Sequence, residues 1–121
     1  RLFSEFKGAL SENYILQSLA AQYEVLPRYW SSGSTAEVDF TIQRGNDILP
    51  IEVKSDENAR SKSLTLYDQR YTPRIRVKFS LKNLKKDNNL INIPMFLVDH
   101  LEKFIDLAKP ARSTRSVRAL E

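Results

Sequence analysis

Two alternating stretches joined by a turn constrain this chain more than any other part of it. Ala36 to Gln43 sets Val38, Phe40 and Ile42 on one side and Glu37, Asp39 and Thr41 on the other. Ile48 to Lys54 repeats the pattern, with Ile51 and Val53 opposite Glu52 and Lys54. Successive side chains of a strand point to opposite faces, so each stretch predicts a half-buried strand. Arg44-Gly45-Asn46-Asp47 between them carries turn residues, and the whole reads as a hairpin. Pairing apolar face with apolar face brings Asp39, Glu52 and Lys54 together on the other side.

The flanking sequence predicts helices and further strands. From Leu2 to Tyr23 the residues Phe3, Phe6, Leu10, Leu16, Leu19, Ala20 and Tyr23 recur at spacings of three and four without proline, the pattern of an amphipathic helix. Val25 to Trp30 reads as a short strand interrupted by Pro27, which suits an edge, and Ser31 to Ser34 as a loop. After the polar segment Ser55 to Ser61, in which Asn58 or Ser61 could cap, Leu64, Tyr67 and Tyr71 mark the inner face of a second helix that Pro73 ends. Arg74 to Phe79 alternates again, with Arg74, Arg76 and Lys78 on one basic face. A strand, helix and strand in this order favour parallel neighbours. Leu84 to Asn89 reads as a charged loop, Ile91 to Val98 as a strand broken by Pro94, and Asp99 to Lys109 as a closing helix. The fold class expected is α/β, one domain over residues 1–109 followed by a loose basic tail, 110–121.

Composition removes several function classes. The 121 residues suit a single core, there is no cysteine for disulfides or thiolate metal sites, and His100 is the only histidine, so a zinc site is not expected. No apolar run approaches the roughly 20 residues of a membrane span, and no leader pattern opens the chain. A cytoplasmic protein without a membrane partner is the expectation. The three glycines, Gly8, Gly33 and Gly45, form no phosphate-binding loop of the P-loop kind. The chain starts at Arg1 and ends in Leu120-Glu121, a pair of the kind a cloning vector leaves, so it reads as a fragment of a longer protein.

The net charge is +4, and the basic residues crowd between Lys54 and Lys86. Such a cluster can release counterions from nucleic acid, or it can be a solvated face. Arg60, Lys62, Arg74, Arg76 and Lys78 are the candidates for contacts with a DNA backbone; for the last three the alternative is a solvent face that protects an edge strand from aggregation. Tyr67 and Tyr71 could stack on bases, although their spacing fits core packing better. Tyr29 and Trp30 are read as a buried anchor at the sheet edge, with guidance of a nucleic-acid strand as the other reading. His100 beside Asp99 is read as structural or surface, since adjacent side chains on one chain rarely meet.

The chemistry that Asp39, Glu52 and Lys54 suggest is phosphodiester hydrolysis. It requires an activated water, stabilisation of charge at phosphorus and help for the leaving oxygen, and Mg²⁺ or Mn²⁺ held by carboxylates can serve all three. A lysine on the same face can orient the water or offset charge. Glu12 falls on or beside the apolar stripe of the first helix, where a carboxylate needs compensation that a metal or Lys54 could give. Gly8, one turn earlier, suggests a close approach to the sheet.

The order of these elements, a helix with Gly8 and Glu12, a hairpin with Asp39, then Glu52-Val53-Lys54, a helix and a strand, resembles the restriction-endonuclease-like PD-(D/E)XK nuclease superfamily. Archaeal Holliday junction resolvases carry similar elements. More closely, the segments ENYILQSLAAQ, SSGSTAEVDFTI, ILPIEVKSDENARSKSL and SLKNLKKDNNLINIPMFLV are similar to the uncharacterised C-terminal domain of many prokaryotic AAA+-type ATPases, over Glu12 to Leu107. The resemblance implies an αβββαβ core with a mixed sheet of about five strands flanked by helices, and an N-terminal ATPase module in the longer protein. It also implies metal ligation by Asp39, Glu52, the Val53 carbonyl and auxiliary Glu12, with Lys54 assisting the water. Val38 stands where the superfamily often has proline. Two functions are therefore expected as alternatives, an Mg²⁺-dependent nuclease acting on DNA, or a catalytically silent module that couples an ATPase to nucleic acid or protein.

Overall fold

The computed structural model describes residues 2–27, 38–55 and 62–108. In chain order the elements are α1 (Leu2–Gln22), β1 (Glu24–Pro27), β2 (Phe40–Arg44), β3 (Asp47–Val53), α2 (Lys62–Tyr71), β4 (Arg76–Ser80), β5 (Lys85–Asp87), β6 (Leu90–Pro94), a 3-10 segment (Met95–His100) and α3 (Leu101–Ala108). Among the described residues they build one six-stranded mixed sheet in the order β1-β2-β3-β4-β6-β5. The expected α/β architecture with helices flanking a mixed sheet is what the chain adopts.

From Phe40 onward the hairpin forms in the register that the alternation requires, but Val38, expected on the side of Phe40 and Ile42, packs with Leu64 and Tyr67 of α2 instead, because β2 begins only at Phe40 and the alternation does not extend back to it. Phe40 pairs with Ile51, Ile42 with Leu49 and Arg44 with Asp47, closed by a two-residue turn in which Gly45 takes φ +64° at no Cβ cost. β1 pairs with β2 at the sheet edge, where Pro27 is tolerated. β3, β4 and β6 run parallel to one another, as the strand, helix, strand order implies. β5 arises from the segment read as a charged loop. It consists of only three exposed residues whose pairing with β6 uses backbone groups alone, so no side-chain alternation announces it. Pro94 ends β6 because it has no N–H to donate, and the chain turns into the 3-10 segment where a longer strand was expected.

The two faces of the sheet differ in chemistry. On one, Ile15 and Leu19 of α1, Val98, and Leu101 and Ile105 of α3 pack on Phe40, Ile42, Leu49, Ile51, Val53, Val77, Phe79, Ile91 and Ile93. The residues of α1 that pack on this core, Ile15, Leu16 and Leu19, come from its second half. Phe6 and Leu10, read as part of its inner stripe, are more than half exposed. Polar contacts clamp α3 to the hairpin and α1. Arg44 donates to Glu102 and Asp106, Tyr23 to Glu102, Ser18 to Asp99, and Gln22 to the Val98 carbonyl. Burial and the Glu102 carboxylate raise the Tyr23 phenol well above its ordinary value, so it stays a donor.

The opposite face is covered by α2 through a much smaller apolar set, Val38, Leu64 and Tyr67, with Leu66 and Leu90 at its margin. At about 1.5–3 kcal/mol for each fully buried side chain, this cluster holds α2 down but leaves most of the face to polar groups. Tyr71, expected inside, is about half exposed and stacks obliquely on Tyr67, their ring centres 4.8 Å apart. Among the described residues no helix is long and apolar enough to cross a membrane.

Candidate functional site

All the buried polar and charged residues among those described, Thr41, Glu52, Arg76, Lys78 and Ser80, lie on the α2 side of the sheet. This follows from parity. Their neighbours Phe40, Ile42, Ile51, Val53, Val77 and Phe79 fill the opposite core, and a strand must present alternate residues to the other side. Across that polar face the register aligns Glu52 with Lys78, Lys78 with Asn92, and Asn92 with Lys85. Asp39, just before β2, comes close to Glu52 as well, since its Oδ2 accepts from the Val53 N–H and its charge acts on the Glu52 carboxyl. The outcome is a row across the sheet of two carboxylates, a lysine, an amide and a second lysine.

Asp39 and Lys54 are fixed by backbone contacts. The Val53 N–H donates to Asp39 Oδ2 at 2.8 Å, so the carboxylate acts as the acceptor where β2 gives out. The Lys54 N–H donates to the Phe79 carbonyl at 2.9 Å and carries the parallel pairing one step past β3. Both contacts hold the Glu52-Val53-Lys54 segment against its neighbours on either side.

Glu52 is the most perturbed group of the set. It is 4% exposed, and its Oε2 has no hydrogen-bond partner among the described residues. Burial raises its pKa from 4.5 to about 7; the Lys54 ammonium pulls it down, the Asp39 carboxylate pushes it up, and Lys78 and a hydrogen bond with Ser63 of α2 pull it down. A carboxyl group poised near neutrality is well suited either to exchange a proton or to be ionised by an arriving cation. The orphaned oxygen makes the same point by geometry, because a buried acceptor left unpaired is costly.

Those observations suit a hard divalent cation. Mg²⁺ is commonly held by one or two carboxylates and completes its shell with water and substrate oxygens. Asp39 and Glu52 are neighbouring carboxylates here, and the Val53 carbonyl lies between Glu52 and Lys54 in the chain. Among the described residues, no group of three His, Cys, Asp or Glu side chains is spaced to hold a metal ion. Glu12, half-buried on α1, is thus not gathered with Asp39 and Glu52 into a three-carboxylate set. Gly8 does approach the end of the hairpin, since a Cβ there would sit 3.7 Å from Ser55 Oγ, but that is ordinary contact and does not require glycine.

The basic residues divide differently from the expected exposed face. Lys62 and Arg74 are exposed, the latter 3.8 Å from Asp47. Arg76 and Lys78 are buried, because β4 is an interior strand between β3 and β6 with α2 across it, not an edge open to solvent. Arg76 donates to Asn89 Oδ1 and to the Leu64 carbonyl, and Asn89 in turn donates to Asp68 and to the Pro73 carbonyl, tying the β5–β6 turn to α2. Lys78 joins the Glu52 site instead. Its parity in a strand parallel to β3 was the available signal for that role; Ser63 and Asn92 gave none. Arg60, Tyr29 and Trp30 lie outside the described residues. His100 is exposed, and Asp99 beside it pairs with Ser18.

No curated protein matches the chain. The family described as Domain of unknown function (DUF4143) matches residues 7–97, a span that takes in Asp39, Glu52, Lys54 and Lys78. The chain therefore belongs to this family, which occurs as a C-terminal domain in AAA-type ATPase proteins.

Proposed function

We propose that this domain is a metal-dependent phosphodiesterase acting on DNA, the nuclease-like partner of an ATPase module. The observation that carries the reading is the buried Glu52, with its unpartnered Oε2, set beside Asp39 and between two lysines. Asp39, Glu52 and the Val53 carbonyl would hold Mg²⁺ or Mn²⁺, without the auxiliary Glu12 that the resemblance implied. A divalent ion bound there supplies charge neutralisation at the phosphate and a more acidic water. Lys54 orients that water or offsets charge on the phosphate, and Lys78 balances the paired carboxylates from the neighbouring strand. The Val53 N–H keeps Asp39 turned toward Glu52. The nuclease superfamily resemblance of the Asp39, Glu52, Lys54 pattern supports the same assignment.

The test is a Mg²⁺ and Mn²⁺ titration with single-stranded, duplex and branched DNA, run beside Glu52→Gln and Lys54→Ala. The wild type should cleave at least one substrate, and each variant should lose about 10²-fold or more, the scale of losing an electrostatic or acid-base contribution. Equal cleavage by the Lys54→Ala protein would falsify the assignment.

A silent module that couples the ATPase to nucleic acid or protein is the second reading. Its motivation is that no three-carboxylate set is gathered among the described residues, and that Lys78 already offsets the Glu52 charge. Metal-independent DNA binding without cleavage of any substrate would favour it, and capture of a protein partner in the absence of DNA would give its protein-coupling form.

A further inference from the structure

The connection that leaves β4 forms a basic lip on the same sheet end as Glu52 and Lys54, and we propose that a DNA backbone docks on this lip through Lys82 and Lys85. The inference deepens the phosphodiesterase reading by naming the route of its substrate and rests on that reading for the fate of the bound strand; the docking itself is measurable without cleavage.

Topology places the lip. β3 and β4 are parallel and end together, Val53 opposite Phe79, with the Lys54 N–H on the Phe79 carbonyl. Residues 81–84 therefore depart from the end where Glu52 and Lys54 sit. They pass over the end of β6 to reach β5 beyond it, because the sheet order is β4-β6-β5. Residues 81–88 are all exposed. Lys82, Lys85 and Lys86 are opposed in this run only by Asp87, and among the described residues none of them has a salt-bridge partner; Lys85 shares the face of Asn92, whereas Lys86, opposite Ile91, projects to the other face.

The lip is built, not merely charged. Ser80 Oγ accepts from the Lys82 N–H at 3.1 Å and donates to Asn92 Oδ1 at 2.6 Å. Asn92 Nδ2 in turn donates to the carbonyls of Lys82 and Asn83, at 3.2 and 2.9 Å. Two interior side chains thus hold the loop in one shape, which lowers the ordering cost when a ligand engages it. Asn92 is the residue that stands between Lys78 and Lys85 in the row leading to Glu52.

Spacing and sign identify the partner. Strands lie about 4.8 Å apart, so the three steps from β3 to β5 cover about 14 Å. A DNA strand rises about 3.4 Å per step but winds around its axis, so its successive phosphates lie about 6–7 Å apart and a backbone laid across the strand ends spans that distance in about two steps. Leu81 and Leu84, about half exposed beside the lysines, offer apolar surface for sugar edges.

The experiment is anisotropy titration of a labelled 30-base-pair duplex in EDTA across a NaCl series. The proteins are the wild type, the double variant Lys82→Gln, Lys85→Gln, and, as charge controls, Lys86→Gln on the other face of β5 and Lys103→Gln on α3. Removing two phosphate contacts should lower the magnitude of the log–log salt slope by about 1.8 and weaken binding at least tenfold at about 0.1 M salt, with both controls near wild type. Asn92→Ala keeps the charges but frees the loop, and should weaken binding several-fold at an unchanged slope. A double variant with wild-type slope and affinity would overturn the proposal. Mg²⁺-dependent cleavage by the double variant at wild-type KM would reject the lip but spare the phosphodiesterase; lip-dependent binding without cleavage would do the reverse.

Discussion

Replacing Glu52 by glutamine should make the protein more stable than wild type at alkaline pH and leave it almost unchanged in acid. Burial raises the carboxyl from 4.5 to about 7, net of the opposing Lys54 and Lys78 charges. Below about 4.5 the group is protonated in both folded and unfolded chains and imposes no penalty. Between 4.5 and about 7 the unfolded chain loses the proton first, so the folded state binds more protons and stability falls as pH rises. Above about 7 the full cost of ionising a buried carboxyl is present. At 1.36 kcal/mol per pH unit that cost is on the order of 3 kcal/mol. Glutamine does not titrate, and in acid the neutral wild-type group leaves Lys78 equally without a carboxylate partner. The difference between the two proteins should therefore grow from near zero at pH 4.5 to about 3 kcal/mol at pH 8.5, equivalent to about 10 °C in Tm for a domain of this size. Paired urea melts at four pH values in EDTA measure it, with the other titrating groups cancelling in the difference. A difference that stays flat within about 0.5 kcal/mol would refute the description of Glu52 as a buried carboxyl whose ionised form is under-compensated.

Three further outcomes follow from the same geometry. At pH 8, Mg²⁺ at 100 times its Kd should stabilise the wild type by about 2.7 kcal/mol and leave Asp39→Ala and Glu52→Gln unmoved, with the wild-type effect shrinking toward pH 5 as Glu52 protonates; calorimetric melts that shift all three proteins equally would contradict the ligand assignment. In EDTA, Asp39→Ala strands the Val53 N–H and should cost about 1–3 kcal/mol, whereas Asp39→Asn keeps an acceptor and should cost under about 1, a contrast read by urea denaturation. Arg76→Ala removes a buried guanidinium that joins Asn89 to Leu64, and should cost about 3–5 kcal/mol and accelerate hydrogen exchange in the β5–β6 turn and the end of α2; a loss under about 1 kcal/mol would mean that the network carries little.

The sequence by itself determined the hairpin, its register from Phe40 to Ile51 and the turning of Glu52 away from the apolar core, because a period of two leaves little freedom once one face is apolar; it misplaced Val38, which lies before β2 begins. Parallel pairing of β3 with β4 was legible for a related reason, the intervening helix. The Arg76 and Lys78 outcome shows where that reading stopped. Alternation told which side of β4 they occupy, but not that the strand would sit between β3 and β6 with α2 across it, which turns an expected solvent face into a buried one. Strand order and helix docking depend on contacts between distant segments, and local pattern carries no record of them. The same holds for β5, whose three charged residues pair only through their backbone, and for Phe6 and Leu10, whose helical spacing is right but whose half of α1 extends past the core. Tertiary structure alone decided that Glu52 loses its water, that Lys78 stands beside it, and that a clamped basic loop emerges at the same end of the sheet.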